Sequence, residues 1–193
     1  MTRAQFVPEL AMTEPGSVVT DLRAYTTIAL AIADIGATSG TLLISRDETL
    51  AAGTTTILAT TILKFTTGSV LTVPTGAALV INGDIDSGPV QLFNITGTGT
   101  VTAGASSPVN ECYPEWWGAA GDANSVVSPA TGTDDSDKLQ QAIDFWPTTF
   151  AVESGGVVRL GTTKRYLCND SLTVGFGVVL QGPHKNGFTR ESV

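Results

Sequence analysis

Short apolar runs alternate with turn residues along most of the chain, and in two places the rhythm changes to that of a helix. In residues 27–35 (TIALAIADI), Ile28, Ala31, Ile32 and Ile35 fall three and four apart, and Gly36 follows. This is the stripe of a short amphipathic helix closed by glycine. Strand-like runs come next at residues 41–45, 54–58, 62–65, 70–73, 78–81, 90–93 and 98–102, nearly all bounded by Gly, Pro, Asn or Asp. The order then repeats. Residues 134–146 (DDSDKLQQAIDFW) place Leu139, Ala142, Ile143 and Trp146 on one stripe, and Pro147 stops the helix. Thr133 or Asp134 is its expected N-cap, with further Asp residues in the first turn. Strands are predicted at 157–160, 166–168, 171–174 and 178–181, so the second module echoes the first.

Short strands recurring about every ten residues fit either a sandwich of hairpins or a solenoid with coils of roughly 20 to 30 residues. The helix at the head of each module favours the solenoid, because an open first coil exposes strand edges and an apolar end that a helical lid would cover.

Composition agrees with a strand-rich fold. Of 193 residues, 42% are hydrophobic, 15% are charged and 21 are Gly, with a Thr-rich middle region that favours strands. The net charge of −8 would repel a phosphate backbone, and no basic patch offsets it, so no nucleic-acid partner is expected. Cys112 and Cys168 are far apart and lack a CxxC neighbour, and they are read as free thiols. The N-terminus lacks the pattern of a secretory signal, and nowhere do 18 apolar residues run together, so no membrane insertion is expected.

The candidates for chemistry each have a structural reading. Asp134, Asp135 and Asp137 suggest a calcium or general-acid cluster but suit helix capping better. Trp116 and Trp117 suggest a sugar-stacking platform but, between Pro114 and Gly118, suit a packed plug. Asn82, Asp84 and Asp86 have the alternate spacing of a calcium loop without its closing Glu, and a β-turn is expected there. His184 is the single histidine, in a polar tail, and no Ser-His-Asp or Cys-His device can be assembled. The glycines of residues 96–100 lack a phosphate-loop context. The acceptor triplets at Asn94 and Asn169 carry little meaning without a signal peptide. No catalytic residue, cofactor or metal is assigned.

The blocks YPEWWGAAGD, TDDSDKLQQAID and GGVVRL through YLCNDSLTV to GVVLQG, over residues 113–182, resemble the opening of the pectate-lyase-like superfamily of right-handed β-helices. The form they resemble is common in bacteriophage tailspikes and prophage-encoded surface proteins. Residues 41–102 look like the strand-rich segment that often precedes YPEWWGA there. The resemblance implies a mostly β chain whose strand-rich modules lead into the capped start of a right-handed parallel β-helix. Three parts follow: a docking segment at 1–25, a β module with a short lid helix at 26–110, and a second lid helix with first coils at 111–193. It also implies a homotrimer, a phage tail or baseplate protein as partner of the N-terminal segment, a virion-tail location and a bacterial surface polysaccharide as ligand.

Two departures stand out. ANSVVSPATG is inserted between Asp122 and Thr133, and few coils follow the second helix. Family carboxylates that cleave glycosidic bonds lie on later coils or between subunits, so no catalytic role carries over to a residue of this sequence. The alternative function is a polysaccharide lyase or hydrolase whose catalytic coils lie beyond Val193.

Overall fold

The computed structural model describes residues 18–124, 131–146 and 155–182. The greater part of the predicted docking segment, the centre of the inserted loop, Pro147 and His184 lie outside the described residues.

Strands dominate and make four small sheets, three of which the first module visits in turn. β1 (Val18–Asp21) is followed by a 3₁₀ turn, Leu22–Ala24, and by α1 (Ile28–Ile35). The chain then makes β2 (Gly40–Ile44), β3 (Glu48–Thr49) and β4 (Gly53–Ile57). A second round gives β5 (Thr61–Phe65), β6 (Leu71–Val73) and β7 (Ala77–Ile81). A third gives β8 (Asp84–Asp86), β9 (Phe93–Ile95) and β10 (Thr100–Ala103).

The sheets run β1-β2-β5-β8, β3-β6-β9 and β4-β7-β10, and every one of these pairings is parallel. Thr41 opposes Ile62 and Ile62 opposes Asp84, so a strand lies beside one about 22 residues earlier. Parallel neighbours need a long crossover, and here the crossover between β2 and β5 is made of β3 and β4. A sandwich of hairpins requires antiparallel neighbours and does not fit these pairings.

Period-two alternation explains why each strand buries one face. Leu42, Leu63 and Ile85 stack in register on the inside, as do Leu71 with Phe93, and Ile57 with Ile81 and Ala103. Polar or small residues alternate outward, including Thr54, Thr100, Lys64 and Asp84.

The first helix forms as its pattern predicts. Thr27 is the N-cap and its hydroxyl accepts the Leu30 amide at 3.4 Å, while Gly36 ends the helix at φ 59°. Glu48, nearly buried, adds a charge at the N-terminus that complements the helix dipole. Its Oε1 accepts the Ile28 amide at 3.3 Å and its Oε2 pairs with Arg46 at 2.8 Å.

The second module begins with β11 (Glu111–Cys112), a 3₁₀ turn at Pro114–Trp117, and α2 (Ser136–Asp144). β12 (Val157–Arg159) and β13 (Val179–Gln181) then add to β11 in parallel. The echo between modules is therefore strand, 3₁₀ turn, helix, parallel strand, and it includes an upstream strand that the hydrophobic pattern does not signal. One apolar core joins the modules, from Leu22 to Val158. Two backbone bonds cross the join: the Leu92 amide to the Trp116 carbonyl at 2.9 Å, and the Ala103 amide to the Phe145 carbonyl at 2.6 Å.

Three local expectations are corrected. Asn82, Asp84 and Asp86 do not form a β-turn; Asp84 and Asp86 belong to β8, whose Ile85 enters the core between them. The segments 166–168 and 171–174 contribute no strand; Leu167 makes an isolated bridge with Asp134, and the Thr173 amide bonds to the Gln140 side chain in place of a neighbouring strand. The N-cap of α2 is Asp135 rather than Thr133 or Asp134, and its carboxylate makes no cap bond. The predicted docking segment also overlaps the fold, since β1 and the first 3₁₀ turn pack with β2 and α1.

Gly83, between β7 and β8, has no room for a side chain: a Cβ there would meet the carbonyls of Thr61 and Leu58. Gly83→Ala is expected to lower stability by about 1–3 kcal/mol through overpacking. Gly88→Ala, with open space at its Cβ, should leave the denaturant midpoint nearly unchanged, and the two midpoints measured together check the claim.

Candidate functional site

Four of the residues singled out for chemistry, Trp116, Trp117, Asp134 and Asp135, meet at the junction between the second 3₁₀ turn and α2. Pro114 fixes the first position of the turn, and Gly118 ends it at φ 86°, a left-handed conformation that glycine adopts without penalty. The turn drives Trp116 and Trp117 inward, to 2% and 1% exposure. Their rings meet Phe145 at centroid distances of 6.4 and 5.7 Å, and Trp117 meets Phe93 at 5.7 Å. Trp116 Nε1 donates to the Gly88 carbonyl at 2.9 Å. Neither ring presents a face on which a sugar can stack, so both are packing residues.

Beyond the turn, side chains hold the backbone in place. Asp135 is fully buried, and its two oxygens accept the amides of Ala120 at 2.7 Å and Gly121 at 3.0 Å. Lys164 Nζ donates to the Ala120 carbonyl at 2.7 Å, and the Arg165 amide donates to the Gly121 carbonyl at 3.0 Å. Asp134 accepts the Ser136 amide at 3.0 Å and the Ser136 hydroxyl at 2.6 Å, and also Asn169 Nδ2 at 3.1 Å. Asp122 accepts the amide and hydroxyl of Thr133 at 2.8 and 3.0 Å. These bonds favour the charged forms, so Ser136 holds Asp134, and Thr133 holds Asp122, below the usual carboxylate range. Gln140 makes paired bonds to the Thr173 amide and carbonyl at 2.9 and 3.1 Å, doing for that segment what a neighbouring strand would do.

The pairing of Glu115 with Tyr166 was not among the sequence expectations. The carboxylate, 6% exposed, accepts the phenol at 2.6 Å, and the phenol in turn accepts the Gly161 amide at 3.0 Å. Burial, with the hydrogen bond to Glu115, raises the Tyr166 pKa well above its ordinary value. Glu115 Oε2 is buried with no partner among the described residues. An acid inside the apolar run Pro114–Trp117 was the one available signal.

The remaining candidates are scattered. Asp137 is exposed in the first turn of α2, and Asp86 pairs with Lys64 on the outer face of β8 at 2.8 Å. Cys112 and Cys168 are free thiols, one buried and one exposed, and burial pushes the Cys112 thiol far above its usual range. Gly97 lies in the turn between β9 and β10, at φ 63°. Among the described residues, no three His, Cys, Asp or Glu side chains converge as a metal site would require. The arrangement is a clamp of carboxylates and amides that fixes the start of the second module. No family model, no curated protein and no solved structure matches the chain.

Proposed function

We propose that this chain is a component of a phage tail spike or tail fibre, and that its rotating sheets are the capped start of a right-handed parallel β-helix. In this reading three copies assemble, the N-terminal segment attaches to a tail or baseplate protein, and the β-helix is presented to a bacterial surface polysaccharide. The observation that carries the reading is the parallel pairing of each strand with one about 22 residues earlier, in three sheets visited in turn. That pairing makes a stiff column, suited to holding a recognition surface away from its point of attachment.

A depolymerase would instead need two carboxylates facing one another across an open groove, roughly 5–10 Å apart. The two buried acids of the junction, Glu115 and Asp135, are turned to a tyrosine and to backbone amides. That engagement favours a structural role. No described helix is long and apolar enough to cross a membrane.

Light scattering at several concentrations should give a constant mass of three chains; a monomer would remove the trimeric attachment model. Deleting residues 1–17, ahead of β1, should leave the strand content unchanged and abolish incorporation into particles. Undiminished incorporation would reject the docking role.

A further inference from the structure

Between β12 and β13 the chain passes through a stretch held by side chains instead of by a sheet. Cys168, Asn169, Asp170 and Ser171 are all exposed, so apolar burial does little to fix them. Their flanks are pinned: the Leu167 carbonyl accepts the Asp135 amide at 2.8 Å, and Gln140 bonds both the amide and the carbonyl of Thr173. In between, the backbone rests on two side chains at the start of α2. The Ser136 hydroxyl oxygen accepts the amides of Asn169 at 2.9 Å and Asp170 at 3.1 Å, and Asp134 accepts Asn169 Nδ2 at 3.1 Å. The same carboxylate aims Ser136. The hydroxyl donates to Asp134 Oδ1 at 2.6 Å, which leaves both lone pairs of its oxygen for the two amides. A charged carboxylate only accepts, whereas a protonated one carries an O–H of its own and has one acceptor fewer for the groups around it.

We propose that Asp134 and Ser136 form a latch on residues 168–171 that opens when Asp134 takes up a proton. Protonation lets the Ser136 hydroxyl turn and so frees the Asn169 and Asp170 amides, while β12 and β13 stay paired. Hydrogen bonds from Ser136, and then from Asn169, hold the Asp134 carboxyl below its ordinary value of 3.8. The latch is therefore fully closed above that ordinary value, and it opens as pH falls through the lower value of the folded chain. The neighbouring ionisable groups have other work. Asp135 is turned to the amides of Ala120 and Gly121, Asp122 to Thr133, and Lys164 to the Ala120 carbonyl. Burial, with the charges of Asp134 and Asp135, raises the Cys168 thiol, so it stays neutral in acid. Asp137 and Lys138 follow on α2, and Arg165 and Asp170 lie on the held segment. Their charges bear on where the latch opens, but it is Asp134 that accepts the Ser136 hydroxyl.

Amide NMR of the full 193-residue chain, followed from neutral pH to about pH 2.5, tests the latch. Below pH 3.8 the Asn169 and Asp170 amide signals should move together with the Asp134 carboxyl signal. Their protection against exchange should fall about tenfold or more, while that of β5 and β7 is kept. Asp134→Asn should lower the protection of these two amides already at neutral pH and abolish the acid step. Ser136→Ala, which removes the shared acceptor, should do the same if Asp134→Asn disturbs α2. Amides that keep their protection until the whole chain unfolds would overturn the proposal, and so would an acid step that survives in both variants. The readout involves neither trimer nor virion, so its failure would leave the tail assignment standing.

Discussion

Trp116→Ala is expected to lower the stability of the whole chain by about 3–5 kcal/mol, the usual cost of truncating a large buried aromatic. The ring is 2% exposed and lies among Tyr113, Trp117 and Phe145, while its Nε1 bonds to Gly88 in the other module. Removing it opens a cavity where the two modules share their core, so both should weaken together in one transition. Trp116→Phe keeps an aromatic ring and loses the indole bond. The Gly88 carbonyl still accepts the Val90 amide at 2.9 Å, so the cost there should fall to about 1–3 kcal/mol. Denaturant midpoints and slopes for both variants decide the matter. A Trp116→Ala chain that melts with the parent would mean the ring is not part of the core.

Asp135→Ala should cost about 2–4 kcal/mol, since it strands two donors at once, the buried Gly121 amide and the half-buried Ala120 amide, a buried one being worth roughly 1–3 kcal/mol when unpaired. Part of that loss is offset, because a buried carboxylate no longer has to be desolvated. Asp135→Asn retains one acceptor oxygen but turns an amide donor toward a backbone N–H, so it should recover only a fraction. The local signature is specific: the amides of Ala120 and Gly121 should exchange much faster in both variants, while those of β5 and β7 change little. Unaltered exchange at these two amides would show that the carboxylate does not hold the turn.

The parts of this fold that could be read from the sequence were those set by local periodicity. α1 follows from the spacing of Ile28, Ala31 and Ile35 and from Gly36. β5 and β7 follow from alternation in ILKF and ALVI. β8 was hidden, because a single Ile85 flanked by two acids and preceded by Asn82 and Gly83 has the composition of a turn. Its strand character comes from pairing with Ile62–Lys64 on the previous round, and no window around it carries that information. The reverse happened at 166–174, where Tyr166, Leu167, Leu172 and Val174 look like strands. In that stretch the amides of Asn169 and Thr173 bond instead to the side chains of Ser136 and Gln140, 33 residues earlier. The junction was half legible. Paired tryptophans behind a proline announced a packed turn, whereas the partners of Glu115 and Asp135 are set by contacts across 51 and 14 residues.

The constant distance between paired strands also bears on how the chain forms during synthesis. Each of β5 to β10 needs only a strand completed about 22 residues earlier, so at roughly 5–20 residues per second a ribosome delivers a dockable round every 1–4 seconds. Early rounds therefore serve as templates for later ones, and little apolar surface waits uncovered. The rhythm breaks once. β11 must wait for β12, since Glu111 pairs with Val157 across 46 residues that contain the double tryptophan, the inserted loop and α2. The nascent chain is thus most exposed to misassembly between those two strands, and a chaperone or a slow codon run would have its greatest effect there.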